Sequence, residues 1–514
     1  MNMGGRAYPI RHYPIAIRLR DREGRAILYI ALSPQSGDSS GARLGVRSVA
    51  LLHLIIDTFS YKGQSTIQTT DWGTHRTPQT YNSKSHLTDS QPNLANTESP
   101  IFSTAIFIGH ENCISQKKVV PLQRNYKQDY TNMYSEKIRY IGCDDATLDL
   151  FESQYPLSEG MCYNSYLLCG EKTAVMDSVD ARKTDEWLQK LKAESEKLNT
   201  TIDYLIVQHM EPDHSGSIGA FLQQYPNATI VGSKAALQFM EQFGYKPQNT
   251  LLIKAGDTLD LGGLTLQFIA APMVHWPEVM MSYCPEEKTL FSADAFGSFG
   301  VRNAHPDNWT DEARRYYTNI CGKYGVPVSM VLTKIHTLDL QTIAPLHGCV
   351  LDGEQMAEAV RLYDIWSSYR IESEGVLVAH ASIHGNTAKV AHRVAKALRA
   401  KGMEVKEIDL CRSDVSEAVS QAFRYGKMVL CASSYDSGVF PPMHIFLYKL
   451  GIKGYQSRRV ALVENGTWAP TAGKIMRSML ETMKNIDIAD PTLSIRSAWK
   501  EEYEEQLQTL VENI

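Results

Sequence analysis

The seven residues Gln208-His-Met-Glu-Pro-Asp-His214 decide how this chain folds and which chemistry it can support. Three apolar residues, 205–207, run directly into them, a pattern that predicts a loop at the end of a buried strand. Four potential metal ligands lie within six residues of this loop: His209, Glu211, Asp213 and His214. A zinc hydrolase of similar layout would normally carry histidine at the position of Glu211. Because a carboxylate replaces that imidazole, the ligand set is harder and favours iron or manganese over zinc.

Three later positions share a second pattern, in which a polar residue ends an apolar run and Gly or Pro follows within a few residues: His275, Asp294 and His347. A sandwich of two sheets that brings ligands from successive strand ends to one edge would produce this pattern. Any one of these residues alone is more typical of a cap or of a satisfied hydrogen-bond partner. Together with the ligands of the opening loop, they predict one metal centre.

The composition narrows the classes of function. A chain of 514 residues is too long for a single core, so two or three domains are expected. The net charge of -5, with no cluster of Lys or Arg, gives no reason to expect nucleic-acid binding. No apolar run approaches the roughly 20 residues that a membrane-spanning helix needs. The nine cysteines form no C-x-x-C pair, which argues against an appended rubredoxin-like module and indicates reduced thiols in a cytoplasmic protein.

Residues 1–132 differ from the rest of the chain. About half of residues 61–100 are Ser, Thr, Asn or Gln with no sustained period, so we predict a poorly structured extension. One explanation is a gene start placed too far upstream, with Met133 as the true initiator. A second is a segment that targets the protein to an organelle, because the first 25 residues carry six arginines and only two acids. A genuine additional domain is the third.

The remaining sequence predicts an α/β protein of two domains. Over residues 133–371, short strands cluster in runs with helices between them, which is typical of an αββα sandwich. Over residues 372–514, strands and helices alternate strictly, as in a doubly wound parallel sheet. The boundary is expected in residues 362–375, which we interpret as a polar connection that ends at a glycine.

The second domain carries three polar loops at the carboxyl ends of predicted strands, where doubly wound folds bind ligands. The first, Ser382-Ile-His-Gly-Asn-Thr387, joins a strand to a helix, and the free N–H groups of a helix N-terminus bind phosphate well. Tyr435 and Trp468 offer flat surfaces for a flavin ring. One such loop alone would be equally typical of helix caps and turns. The three together predict FMN, bound by Ser382, Ile383, His384, Gly385, Asn386, Thr387, Ser433, Ser434, Tyr435, Asp436, Ser437, Gly438, Asn465, Gly466, Thr467 and Trp468.

These motifs occur in the order found in one family. Residues 137–514 resemble the flavodiiron proteins, also called A-type flavoproteins, in which a metallo-β-lactamase-like domain precedes a flavodoxin-like domain. The flavodoxin resemblance itself covers residues 376–484. The family resemblance implies a non-haem diiron centre of two iron ions, with seven ligands: His209, Glu211 and His275 on one iron, Asp213, His214 and His347 on the other, and Asp294 bridging the two.

The resemblance also implies an activity. Such a protein would be an oxidoreductase that reduces dioxygen to water, nitric oxide to nitrous oxide, or both, at the diiron site fed by FMN. It implies a head-to-tail homodimer or a homotetramer, and an external electron donor such as rubredoxin, reduced by an NAD(P)H-dependent reductase. Two alternatives remain at this stage: a metallo-β-lactamase-superfamily hydrolase with a fused flavodoxin domain, and an FMN electron carrier without metal catalysis. The sequence does not rank dioxygen against nitric oxide.

Overall fold

A computed structural model describes residues 135–302, 304 and 309–514, together with three strands nearer the N-terminus. Those strands form an antiparallel sheet by themselves, in the spatial order Ala26–Leu32, Ile15–Arg20 and Ile67–Thr69. The rest of the predicted extension 1–132, and Met133, lie outside the described residues.

Two six-stranded sheets form the first large domain. The spatial order of the first sheet is Asn249–Ile253, Thr229–Ser233, Tyr204–Val207, Thr173–Met176, Tyr166–Cys169 and Ile138–Tyr140. Its first four strands are parallel and the last two pairs are antiparallel. The order of the second is Thr258–Asp260, Thr265–Ala270, Met280–Cys284, Thr289–Phe291, Thr342–Ala344 and Leu351–Asp352. Two short hairpins accompany them: Cys143–Asp145 with Met161–Tyr163, and Leu150–Phe151 with Tyr155–Pro156.

The alternation of side chains along these strands produces the layers. Ile206 and Met176 of the first sheet pack with Phe268 and Phe291 of the second in one buried cluster between the sheets. Neighbouring residues such as Leu205 face outward and pack against helices, because successive side chains of a strand point to opposite faces. The helices are Thr184–Leu198, Pro212–Ser215, Ile218–Gln224, Lys234–Gln242, Trp309–Ile320, Gly325–Ile335 and Gly353–Ser367.

The second domain is one parallel sheet with helices on both faces. Its spatial strand order is Val405–Asp409, Ser373–Ala381, Tyr425–Tyr435, Arg458–Asn465 and Ile486–Ile495. One face carries Asn386–Ala400 and Glu504–Asn513, and the other carries Val415–Arg424, Pro441–Ile452 and Ala472–Glu481. The order runs outward in both directions from the first strand, so the loops after the first and third strands open a crevice at one edge. The predicted fold class, an αββα sandwich followed by a doubly wound sheet, is confirmed.

The expectation of a polar connection over residues 362–375 was wrong in its first half. Helix Gly353–Ser367 occupies it and buries Leu362, Tyr363 and Trp366. The alternation of polar and apolar residues there reflects a helix with one buried face rather than a linker. The predicted boundary at 371/372 falls between this helix and strand Ser373–Ala381.

Two buried arginines of helix Trp309–Ile320 tie the domains together. Arg314 donates to Glu372 at 2.5 Å, and Arg315 donates to Asp414 at 2.9 Å and to the Ser416 hydroxyl at 2.8 Å. The partners Asp414 and Ser416 lie in the flavodoxin-like domain. Since buried charge pairs with several hydrogen bonds hold a defined geometry, these contacts fix one domain against the other. Among the helices given above, none has both the length and the apolar character needed to cross a membrane.

Candidate metal centre and flavin pocket

Five of the seven predicted metal ligands lie in loops that follow strands, and the other two lie on a short helix that begins in one of these loops. His209 and Glu211 follow strand Tyr204–Val207, and helix Pro212–Ser215 carries Asp213 and His214. His275 lies in the loop that precedes strand Met280–Cys284. Asp294 and His347 follow the adjacent parallel strands Thr289–Phe291 and Thr342–Ala344. Because those two strands end side by side, their ligands meet the opening loop at one edge of the sandwich.

The structure brings the seven side chains together in two groups whose potential ligand atoms lie within 4.8 Å of one another: His209, Glu211, His275 and Asp294, and Asp213, His214 and His347. In the first group, Nε2 of His275 is 2.9 Å from Oδ2 of Asp294 and 3.0 Å from Oε2 of Glu211. In the second, Nε2 of His347 is 2.9 Å from Nε2 of His214 and 3.2 Å from Oδ2 of Asp213. Oδ1 of Asp294 faces this second group, 3.2 Å from Nε2 of His214. Asp294 therefore presents one oxygen to each group.

The residues fit a pair of cations. Within the described part of the chain, Asp213 Oδ1, Asp294 Oδ1 and His214 Nδ1 are buried without a hydrogen-bond partner. Nδ1 of His347 is 2.7 Å from the carbonyl oxygen of Cys162, which can only accept, so Nδ1 carries a proton and Nε2 is the nitrogen that faces the other ligands. Buried polar atoms are normally paired, and a cluster of nitrogen and carboxylate lone pairs that lacks donors is what a metal ion completes.

The imidazoles and carboxylates of the cluster shift one another's pKa values. Burial raises the pKa of Glu211, but the imidazoles of His209 and His275 outweigh it and lower the pKa to about 2. Burial lowers the pKa of His275, but hydrogen bonds to Asp294 and Glu211 raise it to about 9. The pKa of Asp294 is well below its usual range, because His209 and His214 outweigh the effect of burial. Without a metal, protons on His209 and His275 thus supply positive charge that the carboxylates require.

Further buried groups orient the ligands, and the sequence pattern did not reveal them. Nδ1 of His209 is 2.8 Å from Oε1 of Glu278, which also accepts from the backbone N–H of Met210 at 2.9 Å. Asp177 accepts from the backbone N–H of Gln208 at 2.8 Å. Gly348, directly after His347, has φ +81°, and a Cβ there would lie 2.2 Å from the hydroxyl of Ser298. A signal for Glu278 existed in its position, since it is an acid next to the buried strand Met280–Cys284.

A cavity of about 300 Å³ opens onto the first ligand group, and both domains line it. Its lining includes Glu211 and His275 of the metal centre. Ile452 and Lys453 of the flavodoxin-like domain form part of its wall. Nζ of Lys453 donates to the carbonyl of Asn319, and burial lowers the pKa of this amine. The mouth of the metal centre is therefore completed by the second domain of the same chain.

The predicted flavin loops meet at the crevice of the doubly wound sheet. A cavity of about 590 Å³ is lined by fourteen of the sixteen predicted residues: Ser382, Ile383, His384, Asn386, Thr387, Ser433, Ser434, Tyr435, Asp436, Ser437, Asn465, Gly466, Thr467 and Trp468. Gly385 and Gly438 do not line it. Gly385 instead has φ +85° and starts helix Asn386–Ala400, and Gly438 pairs back onto the third strand. Ala469, Thr471 and Ser497 also line the cavity and were not predicted.

The flavin cavity fits FMN in size and in chemistry. The N-terminus of helix Asn386–Ala400 opens into it, flanked by hydroxyl and amide groups. The hydroxyls of Thr387 and Ser433 are 2.8 Å apart, and Tyr435 and Trp468 are 45% and 86% exposed at the rim. The small polar groups of the lining match a phosphate, and its flat aromatic rings match a flavin ring. The metal cavity and this cavity share no lining residue.

Comparisons with known proteins agree with this arrangement. The family described as "ODP family beta lactamase" matches residues 161–348. An anaerobic nitric oxide reductase flavorubredoxin of Pectobacterium atrosepticum is 30% identical over 381 residues, which cover 71% of this chain and 72% of the relative. Rubredoxin oxygen:oxidoreductase of Desulfovibrio gigas superposes with a TM-score of 0.69 at 25% identity, over 74% of this chain and 96% of that structure. The flavodiiron protein of Giardia intestinalis has the same fold, with a TM-score of 0.70 at 24% identity over 75% and 95%.

The relative of Pectobacterium atrosepticum is similar along most of its own length, and the similarity covers both large domains. These relatives are named as a nitric oxide reductase and an oxygen oxidoreductase rather than as hydrolases, and an electron carrier does not account for a paired set of metal ligands. This chain belongs to the flavodiiron proteins and is an oxidoreductase whose cofactors are FMN and a non-haem pair of irons.

Proposed function

We propose that this chain reduces dioxygen to water, nitric oxide to nitrous oxide, or both. The observation that carries the proposal is Asp294, which presents one carboxylate oxygen to each of two ligand groups beside a cavity large enough for a diatomic gas. When bound, fully reduced FMN supplies two electrons and two ferrous ions supply two more; dioxygen needs four to become two waters, and two nitric oxide molecules need two to couple. The names of the relatives support both gases.

The proposed ligand assignment follows the two groups. His209, Glu211 and His275 would hold one iron, Asp213, His214 and His347 the other, with Asp294 shared. The support is geometric: each group contributes two Nε2 atoms and one carboxylate of its own, and the shared carboxylate faces both. Each iron would have four protein ligands, three of its own group and the shared Asp294, so both would keep positions for water or substrate. Glu211 and His275 line the cavity, so a gas would reach the first iron from that side.

We also propose the roles of the residues around the flavin. Ser382, Asn386 and Thr387 would bind the phosphate at the helix N-terminus, since no acidic residue lies in that loop. Tyr435 and Trp468 would stack on the flavin ring. Asn465 would contact FMN less directly, because its side-chain amide already forms hydrogen bonds with the backbone of Ser497 at 2.9 and 3.1 Å. Its role would be to hold the loop in place.

A head-to-tail homodimer is proposed as the working assembly. Exposed apolar side chains surround both cavities: Tyr435 and Trp468 at the flavin, and Val326, Met330 and Tyr448 on helices whose neighbouring residues line the metal cavity. Exposed apolar patches mark interaction surfaces. A two-fold axis that brings one copy's flavin rim to the other copy's metal mouth covers both patches at once. A dimer of dimers would add a second interface.

The mass of the assembly tests this proposal. Sedimentation should give twice 57.6 kDa, or four times for a tetramer. Tyr448→Glu should shift the population toward monomer, because Tyr448 is 55% exposed and burying a carboxylate in an apolar contact is costly. Leu252→Glu is the matched control, because Leu252 is 57% exposed on strand Asn249–Ile253 and lines neither cavity. A wild-type chain that sediments as a monomer would contradict the dimer.

An external, acidic electron donor is proposed to reduce the flavin, with rubredoxin, itself reduced by an NAD(P)H-dependent reductase, as the candidate. Three exposed cations follow one face of helix Asn386–Ala400: Lys389, Arg393 and Lys396. None of the three pairs with a carboxylate of the described chain. The Arg393 guanidinium lies 5.0 Å from the ring centre of Trp499, two residues beyond Ser497 of the flavin cavity. Reduction by such a donor should slow as salt rises, and slow further in Lys389→Glu, while turnover with dithionite stays unchanged.

The domain limits and the compartment are also proposals. We propose a diiron domain over residues 133–371, an FMN domain over 372–514 and a dispensable extension over 1–132. The support is that the similarity to known structures covers 74% of the chain. A chain that starts at Met133 should retain full iron, FMN and turnover. A cytoplasmic location is proposed because all eight cysteines in the described residues are free thiols.

One anaerobic assay tests the activity itself. The enzyme, loaded with iron and FMN and reduced in excess donor, is mixed with dioxygen in one cell and nitric oxide in another, and electrodes follow gas consumption. Catalytic consumption of at least one gas is expected, with water or nitrous oxide as the product. Loaded enzyme that consumes neither gas would contradict the proposal.

A further inference from the structure

The two groups of metal ligands are chemically matched. Each offers two imidazole Nε2 atoms and one carboxylate of its own, Glu211 in the first and Asp213 in the second. Both share Asp294, which directs Oδ2 to the first group and Oδ1 to the second. The ligands themselves therefore give no reason for the two irons to differ in midpoint potential.

The groups behind the imidazoles are not matched. In the first group, Nδ1 of His209 is 2.8 Å from Oε1 of Glu278, a side chain with no exposed surface. In the second, Nδ1 of His347 faces a neutral backbone carbonyl, that of Cys162, at 2.7 Å. Nδ1 of His214 has no hydrogen-bond partner among the described residues. Of these three Nδ1 atoms, only that of His209, in the first group, contacts a carboxylate.

From this contrast we infer that Glu278 lowers the midpoint potential of the iron bound by His209. The iron in the first group is then oxidised from ferrous to ferric before the iron in the second. The inference rests on the proposed diiron function and ligand assignment. An anionic acceptor on Nδ1–H makes Nε2 a stronger donor, which stabilises the more highly charged ferric ion. A neutral carbonyl on Nδ1–H strengthens Nε2 as a donor less than a carboxylate does, and an Nδ1 without a partner strengthens it least.

The geometry of Glu278 suits this role. Its Oε1 accepts from the ring of His209 and from the backbone N–H of Met210, so the carboxylate cannot swing away. Its Oε2 is buried without a partner in the described structure. A buried oxygen without a hydrogen-bond partner lowers the free energy of unfolding, so a role limited to capping a turn does not explain this carboxylate. Its negative charge instead lies next to the imidazole that binds the metal.

Other charges near the first group act in both directions. Lys323 and Lys453 line the cavity and would raise the potential of the nearer iron, whereas Glu152 lines the same cavity and opposes them. These three side chains border an open cavity, where water weakens each interaction. Glu278 is in direct contact and fully buried, where the effective dielectric constant is lower and each charge counts for more. The carboxylate is therefore expected to dominate.

The substitution Glu278→Gln isolates its charge, because the amide oxygen can still accept from His209 and Met210. Iron and FMN contents are measured first, and each iron step is then followed by Mössbauer and EPR spectroscopy in a redox titration. Wild type should show two separate one-electron steps. In the variant, the lower step should rise so that the ferric-to-ferrous ratio at fixed potential falls about tenfold, or about 59 mV, while the upper step stays in place. We call the difference between the two midpoint potentials the gap. A variant that binds two irons and has the same gap as wild type would overturn the inference and leave the diiron function intact.

Two further variants keep the test decisive. Asp145→Asn is the matched control, since Asp145 is an equally buried carboxylate that bonds to Arg182 and Thr147 rather than to an imidazole. It should leave the gap unchanged, and a gap that narrows as much as in Glu278→Gln would overturn the inference. If Glu278→Gln fails to hold iron, Glu278→Asp keeps the charge and should keep the gap; a collapsed gap there would overturn the inference. Wild-type protein that binds no iron pair would instead refute the proposed function itself.

Discussion

The metal centre and the flavin pocket are built on opposite principles. At the metal centre, four of seven ligands are buried, and each is held by an identified neighbour or faces another ligand. At the flavin pocket, the lining is spread over several loops of small polar residues, and the largest side chain, Trp468, is 86% exposed. The metal centre concentrates its binding energy in a few charged atoms, whereas the flavin pocket distributes it over many weak donors.

This difference predicts how each site responds to change. Removing one metal ligand leaves buried charges uncompensated, which is expensive because the interior cannot solvate them. Removing one flavin contact leaves the others in place. Substitutions at the metal centre should therefore produce large and specific losses, and those at the flavin pocket modest ones.

The largest effect is expected from His347→Ala. His347 is fully buried and its Nε2 lies within 3.2 Å of Asp213, so its loss removes one of three ligands from the second group. Iron should fall from two toward one per chain, and gas turnover should drop by at least about 100-fold, more than the 10–100-fold typical of outer partners. Metal analysis and electrode assays measure both, and FMN content should stay unchanged. A His347→Ala variant with two irons and full turnover would rule out the assignment.

A smaller effect is expected from Thr387→Val in the flavin pocket. The variant removes the hydroxyl that lies 2.8 Å from Ser433 and faces the proposed phosphate site. FMN should bind about tenfold more weakly, as for one charge-assisted hydrogen bond, with no change in iron content. Fluorescence titration of FMN into the flavin-free protein measures this, and Thr333→Val, which lines neither cavity, serves as the control. A loss of iron content as large as the loss of FMN binding would contradict the proposed difference between the two sites.

The smallest effect is a pH dependence that only the metal centre should show. The folded-state pKa of His275 is about 9, above its ordinary value of 6.5. Its protonated form therefore stabilises the metal-free fold fully below pH 6.5, and this contribution is lost as the pH rises through 9. Iron replaces the proton, so the melting temperature of metal-free protein should fall by a few degrees between pH 6.5 and 9 while that of loaded protein falls less. A metal-free melting temperature that rises over this window would show the opposite linkage.

The sequence predicted the metal centre far better than its surroundings. Each proposed ligand is a polar residue that follows an apolar strand, and strands that end together bring such residues together, so this pattern and the opening loop together pointed to His275, Asp294 and His347. The carbonyl of Cys162 left no trace in the sequence, because any residue supplies a backbone oxygen. Glu278 was missed because an isolated acid near a strand has many ordinary roles.

At the flavin pocket the sequence located the loops but not every contact. Gly385 does not line the cavity and its positive φ serves the turn into the helix, so its contact with FMN stays a prediction. Ser497 was missed because strand Ile486–Ile495, which precedes it, was not predicted, and Pro491 and the exposed residues of this strand obscure the strand pattern. Loops that bind through small residues carry a weak signal, since the same residues form ordinary turns.

The most direct test of the whole account is metal analysis of the purified protein, followed by Mössbauer spectroscopy of the iron-57-loaded form. Two irons per chain, magnetically coupled through a shared ligand and accompanied by about one FMN, are the predicted result. Two zinc ions, a single uncoupled iron, or no metal beside a full complement of FMN would contradict the claim that His209–His214, with its carboxylate at Glu211, belongs to an iron pair.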